Sequence, residues 1–354
     1  MTRGSLDSSA HRDFIERLCG LYSEAQVTEQ LNLPHNRVDL GTAEPVALHY
    51  SGKQTLVIGK HQSAVRLSDE RANMCPNYWH FSPYGFCPFD CAYCYLAATP
   101  GVRFSPTVKI FVNVSEMLDD IDRIARRLAQ PTAFYLGKLQ DGLALDQLTG
   151  YSRVMVPFFA SHPYARLVVL TKASDVRNLM EVEHSGNTIL SWSLNPPEVC
   201  GQFEINTPAP GERIEAMRHC AAAGYPVRAV IMPIIPIARW RDVYGMFLQE
   251  LITTVPLARI TLGGICSYDG ALSLTDFKLG PGNTVSRALH RCGFKSADGR
   301  RRYVVSERIE MYRHLITAIR RLDPQRPIAL CLEERAVFEA LGMMGNAGHC
   351  NCVL

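Results

Sequence analysis

Cys87-Pro88-Phe89-Asp90-Cys91-Ala92-Tyr93-Cys94-Tyr95 is the stretch on which the reading of this chain turns. Its C-x3-C-x2-C spacing delivers three thiolates from one short loop. Four cysteines close the usual coordination of a [4Fe–4S] cluster, so three leave one iron open to a further ligand. The bland counterparts are a structural zinc site or three unrelated buried thiols. Zinc usually takes two spaced cysteine pairs, or one pair with two histidines. Here a single C-x2-C pair stands with a third cysteine four residues upstream, and the aromatic Tyr95 follows directly. In a chain of enzyme size, an iron with a free site points to chelation of S-adenosylmethionine (SAM) and radical chemistry rather than simple electron transfer.

Composition sets the frame around this loop. The 354 residues are enough for one large barrel or two modest domains, and 47% hydrophobic with 20% charged residues is ordinary for a globular protein. No apolar run is long enough to cross a bilayer. The start, Met1-Thr2-Arg3-Gly4-Ser5, lacks the apolar core of a signal peptide. Twelve cysteines without such a signal argue for a reducing, cytoplasmic setting and for free or metal-bound thiols. A net charge of +3 does not by itself imply a nucleic-acid partner, which is read here as unlikely. Basic residues are dense between Arg287 and Arg326, but Ile309, Tyr312, Leu315, Ile316, Ile319 and Leu322 keep a helical period there behind a cap at Ser306. That pattern predicts a helix with its arginines on the solvated face.

Outward from the loop, the chain alternates strand and helix. Apolar, β-branched runs at 79–82, 133–136, 167–171, 188–194, 227–232 and 259–262 have the look of parallel strands buried on both faces. Helical runs lie between them at 115–129, 145–161, 176–184, 211–223 and 241–253. Alternation of this kind predicts an α/β fold, a partial (β/α)6 barrel of the TIM type, with right-handed crossovers. Catalytic groups then belong at the C-terminal ends of the strands, where the cysteine loop falls. Residues 1–74 read as an accessory region with a helix over 11–32 and short strands at 55–58 and 64–67. Residues 75–270 read as the barrel, and 271–354 as a helical region with a cysteine-rich tail.

Beyond the loop, four elements match one family. They are Asp141-Gly142-Leu143-Ala144-Leu145-Asp146-Gln147-Leu148-Thr149, Leu170-Thr171-Lys172, Trp192-Ser193-Leu194-Asn195, and Phe203-Glu204 with Arg213 through Tyr225. Together with Gly85 to Leu96 they resemble the radical SAM enzymes, and within them the spore photoproduct lyase-like group, from about Thr55 to Ile265. The resemblance implies a [4Fe–4S] cluster on Cys87, Cys91 and Cys94, and SAM cleaved reductively to methionine and a 5′-deoxyadenosyl radical. It also implies an external one-electron reductant such as flavodoxin or ferredoxin. Lys172 would reach the SAM carboxylate, and Ser193 and Asn195 its polar groups, with Tyr95 beside the cluster. A lysine and a polar pair ending apolar strands are out of place unless they face a ligand or cap the rim.

One departure separates this chain from the lyase. Lys138, in Phe134-Tyr135-Leu136-Gly137-Lys138, stands where the family keeps the cysteine that returns a hydrogen atom to the product radical. An ammonium has no weak S–H bond. Lys138 therefore reads as a catalytic residue for an anionic substrate or a proton transfer, or as the partner of Asp141 or a rim carboxylate. Cys266, at the end of the sixth strand, is read as a relocated hydrogen donor or an inert buried thiol. Cys331, Cys350 and Cys352 could hold a second iron–sulfur cluster, with Cys75 or Cys266 as a further ligand, or stand as exposed tail thiols. Cys19, Cys200, Cys220 and Cys292 have no partner spacing.

The expected function is radical SAM catalysis on a small polar, anionic sugar or nucleoside-type metabolite. Decarboxylation or epimerisation in natural-product (antibiotic) biosynthesis would fit. The alternatives are a nucleic-acid lesion lyase and a non-catalytic iron–sulfur carrier or sensor.

Overall fold

Strands covered on both faces are written as unbroken apolar runs, and all six predicted runs become strands. They are β1 (Trp79–His80), β2 (Thr132–Leu136), β3 (Ala165–Thr171), β4 (Thr188–Leu194), β5 (Val227–Ile234) and β6 (Leu257–Gly264). A seventh, β7 (Ile328–Leu330), comes from the stretch that was expected to be helical. The structure, a computed structural model, describes every residue except 100, 101, 292 and 294, so Cys292 lies outside the described residues.

The seven strands pair in chain order, β1 to β7, and every pair is parallel. All their C-terminal ends therefore meet at one mouth. The sheet stays open: Arg66–Leu67 adds antiparallel to the free edge of β1, and β7 forms the other edge. Helices α1 (Val114–Leu128), α2 (Ser152–Ser161), α3 (Pro210–Ala222), α4 (Trp240–Thr254) and α5 (Val305–Leu322) cover the outer face. In α1 the residues Val114, Met117, Leu118, Ile121, Ile124 and Ala125 recur on one side and are buried, the stripe that docks a helix on a sheet.

Side-chain alternation divides the packing in two. Phe134, Leu167, Val169 and Leu190 point outward to the helices in the main core. Ala133, Tyr135, Val168 and Leu170 point into the barrel, where Cys350, Cys352 and Val353 meet them. Of the two readings of the tail, that of exposed thiols does not hold: the tail is a plug, with Cys350 and Cys352 buried. Arg228 of β5 donates to the Asn351 and Val353 carbonyls, and Ser191 of β4 donates to Asn351 Oδ1.

Other departures have local causes. The helix expected over 11–32 spans Ser9–Leu21, capped by the Ser8 side chain, because the chain then turns back to pair Gln30 with Thr2. The run 145–161 is split by Gly150, whose φ of 64° is left-handed, into Asp146–Thr149 and α2. The run 176–184 closes only as a 3-10 turn, Arg177–Glu181. The boundaries drawn at 74 and 270 are crossed by pairing: Leu56–Gly59 lies parallel to Val108–Phe111 in a second, three-stranded sheet, and β7 joins the barrel. In α5 not all arginines face water. Arg308 is buried and bonds to Glu333 and Glu334, while Tyr312 donates to Glu333 at 2.6 Å.

Burial pushes Glu333 above the ordinary carboxylate range, against the pull of Arg308 and the Tyr312 hydroxyl. Removing the cation leaves a buried carboxylate uncompensated. Arg308→Ala should therefore lower stability by about 3–5 kcal/mol, read as a shift in the midpoint of urea unfolding.

Candidate active site

The cysteine loop begins at a bend. Phe86 takes a left-handed φ of 58°, rare for a residue with a side chain, and turns the chain toward the mouth. Asp90, inside the loop, then anchors it to both ends of the sequence. His49 Nε2 lies 2.9 Å from its carboxylate, and Lys278 Nζ at 2.5 Å. Lys53, closing the helix Pro45–Lys53, donates to the Cys87 and Phe89 carbonyls at 2.6 and 2.5 Å. Thr275 of the helix Asp269–Leu279 donates to the Ala92 carbonyl at 2.7 Å. Burial works against the charge on Asp90, but His49 and Lys278 hold its carboxyl below the usual range. The accessory segments on either side of the barrel thus fix the loop's backbone.

Cys87, Cys91 and Cys94 line a cavity of about 240 Å³ at the strand ends. The same cavity is lined by Lys138, Lys172, Ser193 and Cys266, and by Tyr95 and Arg300. These site residues, scattered through the sequence, share one space. The three thiols are free, and the buried Oε1 of Gln140, which also lines the cavity, has no partner. Such a lining, with three free soft donors and an unsatisfied polar atom, fits a three-cysteine cluster with a polar ligand beside it.

Lys172 ends β3 at a fixed height. Asp141 accepts from the Lys172 backbone N–H at 2.7 Å and from the Thr171 hydroxyl at 2.6 Å. The Lys172 ammonium donates to the Ser193 hydroxyl and lies 3.7 Å from Glu204. Glu204 is buried beneath the cysteine loop. It takes a hydrogen bond from Tyr93 at 2.6 Å, pairs with Arg213 at 2.6 Å and lies 3.4 Å from Asn195 Nδ2. Burial opposes its charge, yet Lys172 and Arg213 together draw Glu204 down to about 2. Asn195 was expected at the ligand. It stands behind the wall, fully buried, accepting from the Tyr244 hydroxyl at 2.9 Å, because both ends of its amide are already bonded to protein.

Lys138 reaches the cavity through Gly137, whose φ is 151°; a Cβ there would meet the Leu170 Cβ at 2.7 Å. Its partner is Glu70 at 2.9 Å, and its ammonium lies 5.0 Å from the Tyr78 ring. The rim carboxylate is therefore Glu70, not Asp141. Cys266 is 4% exposed, and burial pushes its thiol up to about 11. Arg300 was not singled out from the arginine-rich run. It bonds the Tyr268 hydroxyl at 3.2 Å and stacks 5.2 Å over the Tyr95 ring, an arrangement no spacing encodes.

A family model described as spore photoproduct lyase matches residues 9–262. The spore photoproduct lyase of Bacillus subtilis is 29% identical over 225 residues, and that of Clostridium acetobutylicum 27% over 202. These alignments cover 63% and 57% of this chain and 64% and 58% of the relatives, so the match spans less than two thirds of either relative. A spore photoproduct lyase complexed with dinucleoside spore photoproduct superimposes with a TM-score of 0.80 at 21% identity, over 93% of this chain and 97% of that one. A mutant lyase with bound AdoMet (SAM) and the same dinucleoside gives 0.79 at 21% identity, over 92% and 96%. The expectation that a nucleic acid is an unlikely partner is overturned by these relatives, one of which is complexed with a dinucleoside spore photoproduct. The physical reason is that net charge averages over the whole surface, whereas Lys138, from which an anionic metabolite was inferred, is countered by Glu70 inside the protein.

Glu204 has a lowered folded-state pKa, so its stabilisation is complete above the unfolded value near 4.3 and is lost as pH falls toward about 2. Glu204→Gln should be less stable than the parent at neutral pH. The gap between the two proteins should narrow through that acid window when unfolding is followed by circular dichroism.

Proposed function

The chain belongs to the spore photoproduct lyase family of radical SAM enzymes, and from that premise we propose that it is a radical SAM lyase acting on a joined-base lesion in nucleic acid. The observation that carries the proposal is the single cavity shared by Cys87, Cys91, Cys94, Lys172 and Cys266. Cys87, Cys91 and Cys94 hold the [4Fe–4S] cluster, and Lys172 and Ser193 offer charge and hydrogen bonds to SAM. When bound, that pair supplies a carbon-centred radical able to remove a hydrogen atom from the substrate.

The remaining tasks fall to this chain. Tyr78, Tyr95 and Tyr135 give the cavity flat aromatic walls suited to bases. Burial of the cysteine loop keeps water from the reacting atoms. Cys266 returns the hydrogen atom. With its pKa near 11 it stays an S–H at neutral pH, the form that can give up a hydrogen atom. Its thiyl radical regains an electron from the external reductant of the flavodoxin or ferredoxin class and a proton from solvent. Lys138 holds Glu70 at the rim and takes no part in the hydrogen return.

A second reading, radical decarboxylation or epimerisation of an anionic sugar or nucleoside-type metabolite, is favoured by Lys138 on the cavity wall. The substrate assay separates the two. Anaerobic protein with SAM, dithionite and dinucleoside spore photoproduct should release thymidine products with 5′-deoxyadenosine. SAM cleavage without any change in the dinucleoside would return the choice to the metabolite reading.

Two variants test the residues. Lys172→Ala should weaken SAM binding about 10- to 100-fold, the loss of one charge-assisted contact worth about 1.5–3 kcal/mol, with the cluster's visible absorption intact. Cys266→Ala should still form 5′-deoxyadenosine while the yield of the quenched product falls and trapped side products rise. Unchanged product distribution in Cys266→Ala would place the donor elsewhere.

A further inference from the structure

Four cysteines outside the metal-binding loop meet inside the barrel. Cys75, Cys350 and Cys352 pack together and Cys75, Cys331 and Cys352 line the same cavity, with the Cys75 thiol adjoining those of Cys331 and Cys350 and the Cys350 thiol that of Cys352. They come from three places: Cys75 precedes β1, Cys331 follows β7, and Cys350 and Cys352 belong to the plug. None is in a disulfide.

We propose that Cys75, Cys331, Cys350 and Cys352 form a four-thiolate centre for one divalent zinc or iron ion, separate from the Cys87, Cys91 and Cys94 cluster. The inference does not depend on the reaction proposed above.

Three observations support it. First, the thiols adjoin one another in pairs, the separation that a single ion requires of its ligands. Metal–sulfur bonds of about 2.3 Å put tetrahedral ligands about 3.8 Å apart, which is sulfur–sulfur contact. A [4Fe–4S] cluster binds each cysteine to a different iron and spreads the sulfurs beyond contact. Among the described residues no three donors already enclose a metal position. Binding therefore draws a connected row of thiols, Cys331–Cys75–Cys350–Cys352, into a tetrahedron.

Second, the backbone is turned toward a sulfur. Leu332 has a left-handed φ of 55° and donates its N–H to Cys75 Sγ at 3.3 Å. Amide donors of this kind stabilise a metal-bound thiolate. A non-glycine residue holds that conformation only when its surroundings require it.

Third, the charge is already countered. Four thiolates around a divalent ion carry a net charge of −2. Arg228 and Arg259 extend from β5 and β6 to the plug, Arg228 bonding the Asn351 and Val353 carbonyls and Arg259 the Cys350 carbonyl. Among the described residues neither has an Asp or Glu partner within ion-pair distance, so the buried Arg228 and the half-buried Arg259 set two cations beside the plug. Binding converts four thiols and one M²⁺ to M(SR)₄²⁻ and releases four protons to solvent, with no change of oxidation state.

The test is metal analysis of the full chain with the first site removed. The Cys87→Ala/Cys91→Ala/Cys94→Ala protein, purified without oxygen, should retain about one zinc or iron per chain. Adding Cys350→Ser and Cys352→Ser should remove it. Cobalt(II) added to the demetallated triple variant should give the visible bands of a tetrahedral thiolate site, absent after the serine changes. In the native background, Cys350→Ser/Cys352→Ser should still take up the Cys87, Cys91 and Cys94 cluster, showing that the barrel is folded. A triple variant that binds neither zinc, iron nor cobalt overturns the proposal, as does metal that survives the serine changes. Iron near four per chain with acid-labile sulfide in the triple variant would overturn the single-ion assignment.

Discussion

A buried carboxylate with four protein partners holds the site together. Glu204 receives Tyr93 from the cysteine loop, faces Lys172 at the end of β3 and Asn195 just past β4, and pairs with Arg213 of α3. A charge sealed from water persists only when partners replace its hydration. Here those partners are the elements that must be brought into register for the loop to meet the strand ends. The same cluster of charges fixes the ammonium of Lys172 at the cavity wall. The parallel, in-order sheet supplies a common mouth, and Glu204 ties the loop to that mouth.

Asp90 has the matching task for the loop's outer side. Its partners His49 and Lys278 come from helices on either side of the barrel in sequence, far from the cysteines. The N-terminal and C-terminal stretches are therefore part of how the loop is held. The pairing of Leu56–Gly59 with Val108–Phe111 carries the same message, because it fastens the chain before the loop to the chain after it.

How much of this could be read beforehand follows from what each feature depends on. Strands β2 to β6, and the two-residue β1 inside its apolar run at 79–82, were legible because burial on both faces writes such a run. β7, at three residues, has no longer run around it to set it apart from the helical stretch. The three-cysteine loop was legible because its chemistry requires local spacing. Lys138 was noticed as an anomaly, but its partner Glu70 lies 68 residues away, beyond any local pattern. Asn195 was correctly seen as a polar residue in an apolar strand context, yet its amide satisfies Glu204 and Tyr244. Arg308 sat among solvated arginines and differed from them only by the buried Glu333 that folding sets beside it. The tail cysteines were visible in number; that they lie inside the barrel is a fact of tertiary packing.

The plug has a temporal consequence. Strands β2 to β5 are made well before residues 350–353, which cover their inner faces. As the chain leaves the ribosome, the inward side chains of these strands, Tyr135, Val168 and Arg228 among them, remain uncovered until the tail arrives. The barrel interior therefore closes only after residues 350–353 have been made. Closure joins residues more than a hundred positions apart, a slow class of event in folding. Until it happens the nascent protein presents an apolar, open-ended sheet, the kind of surface that chaperones hold and that aggregation exploits.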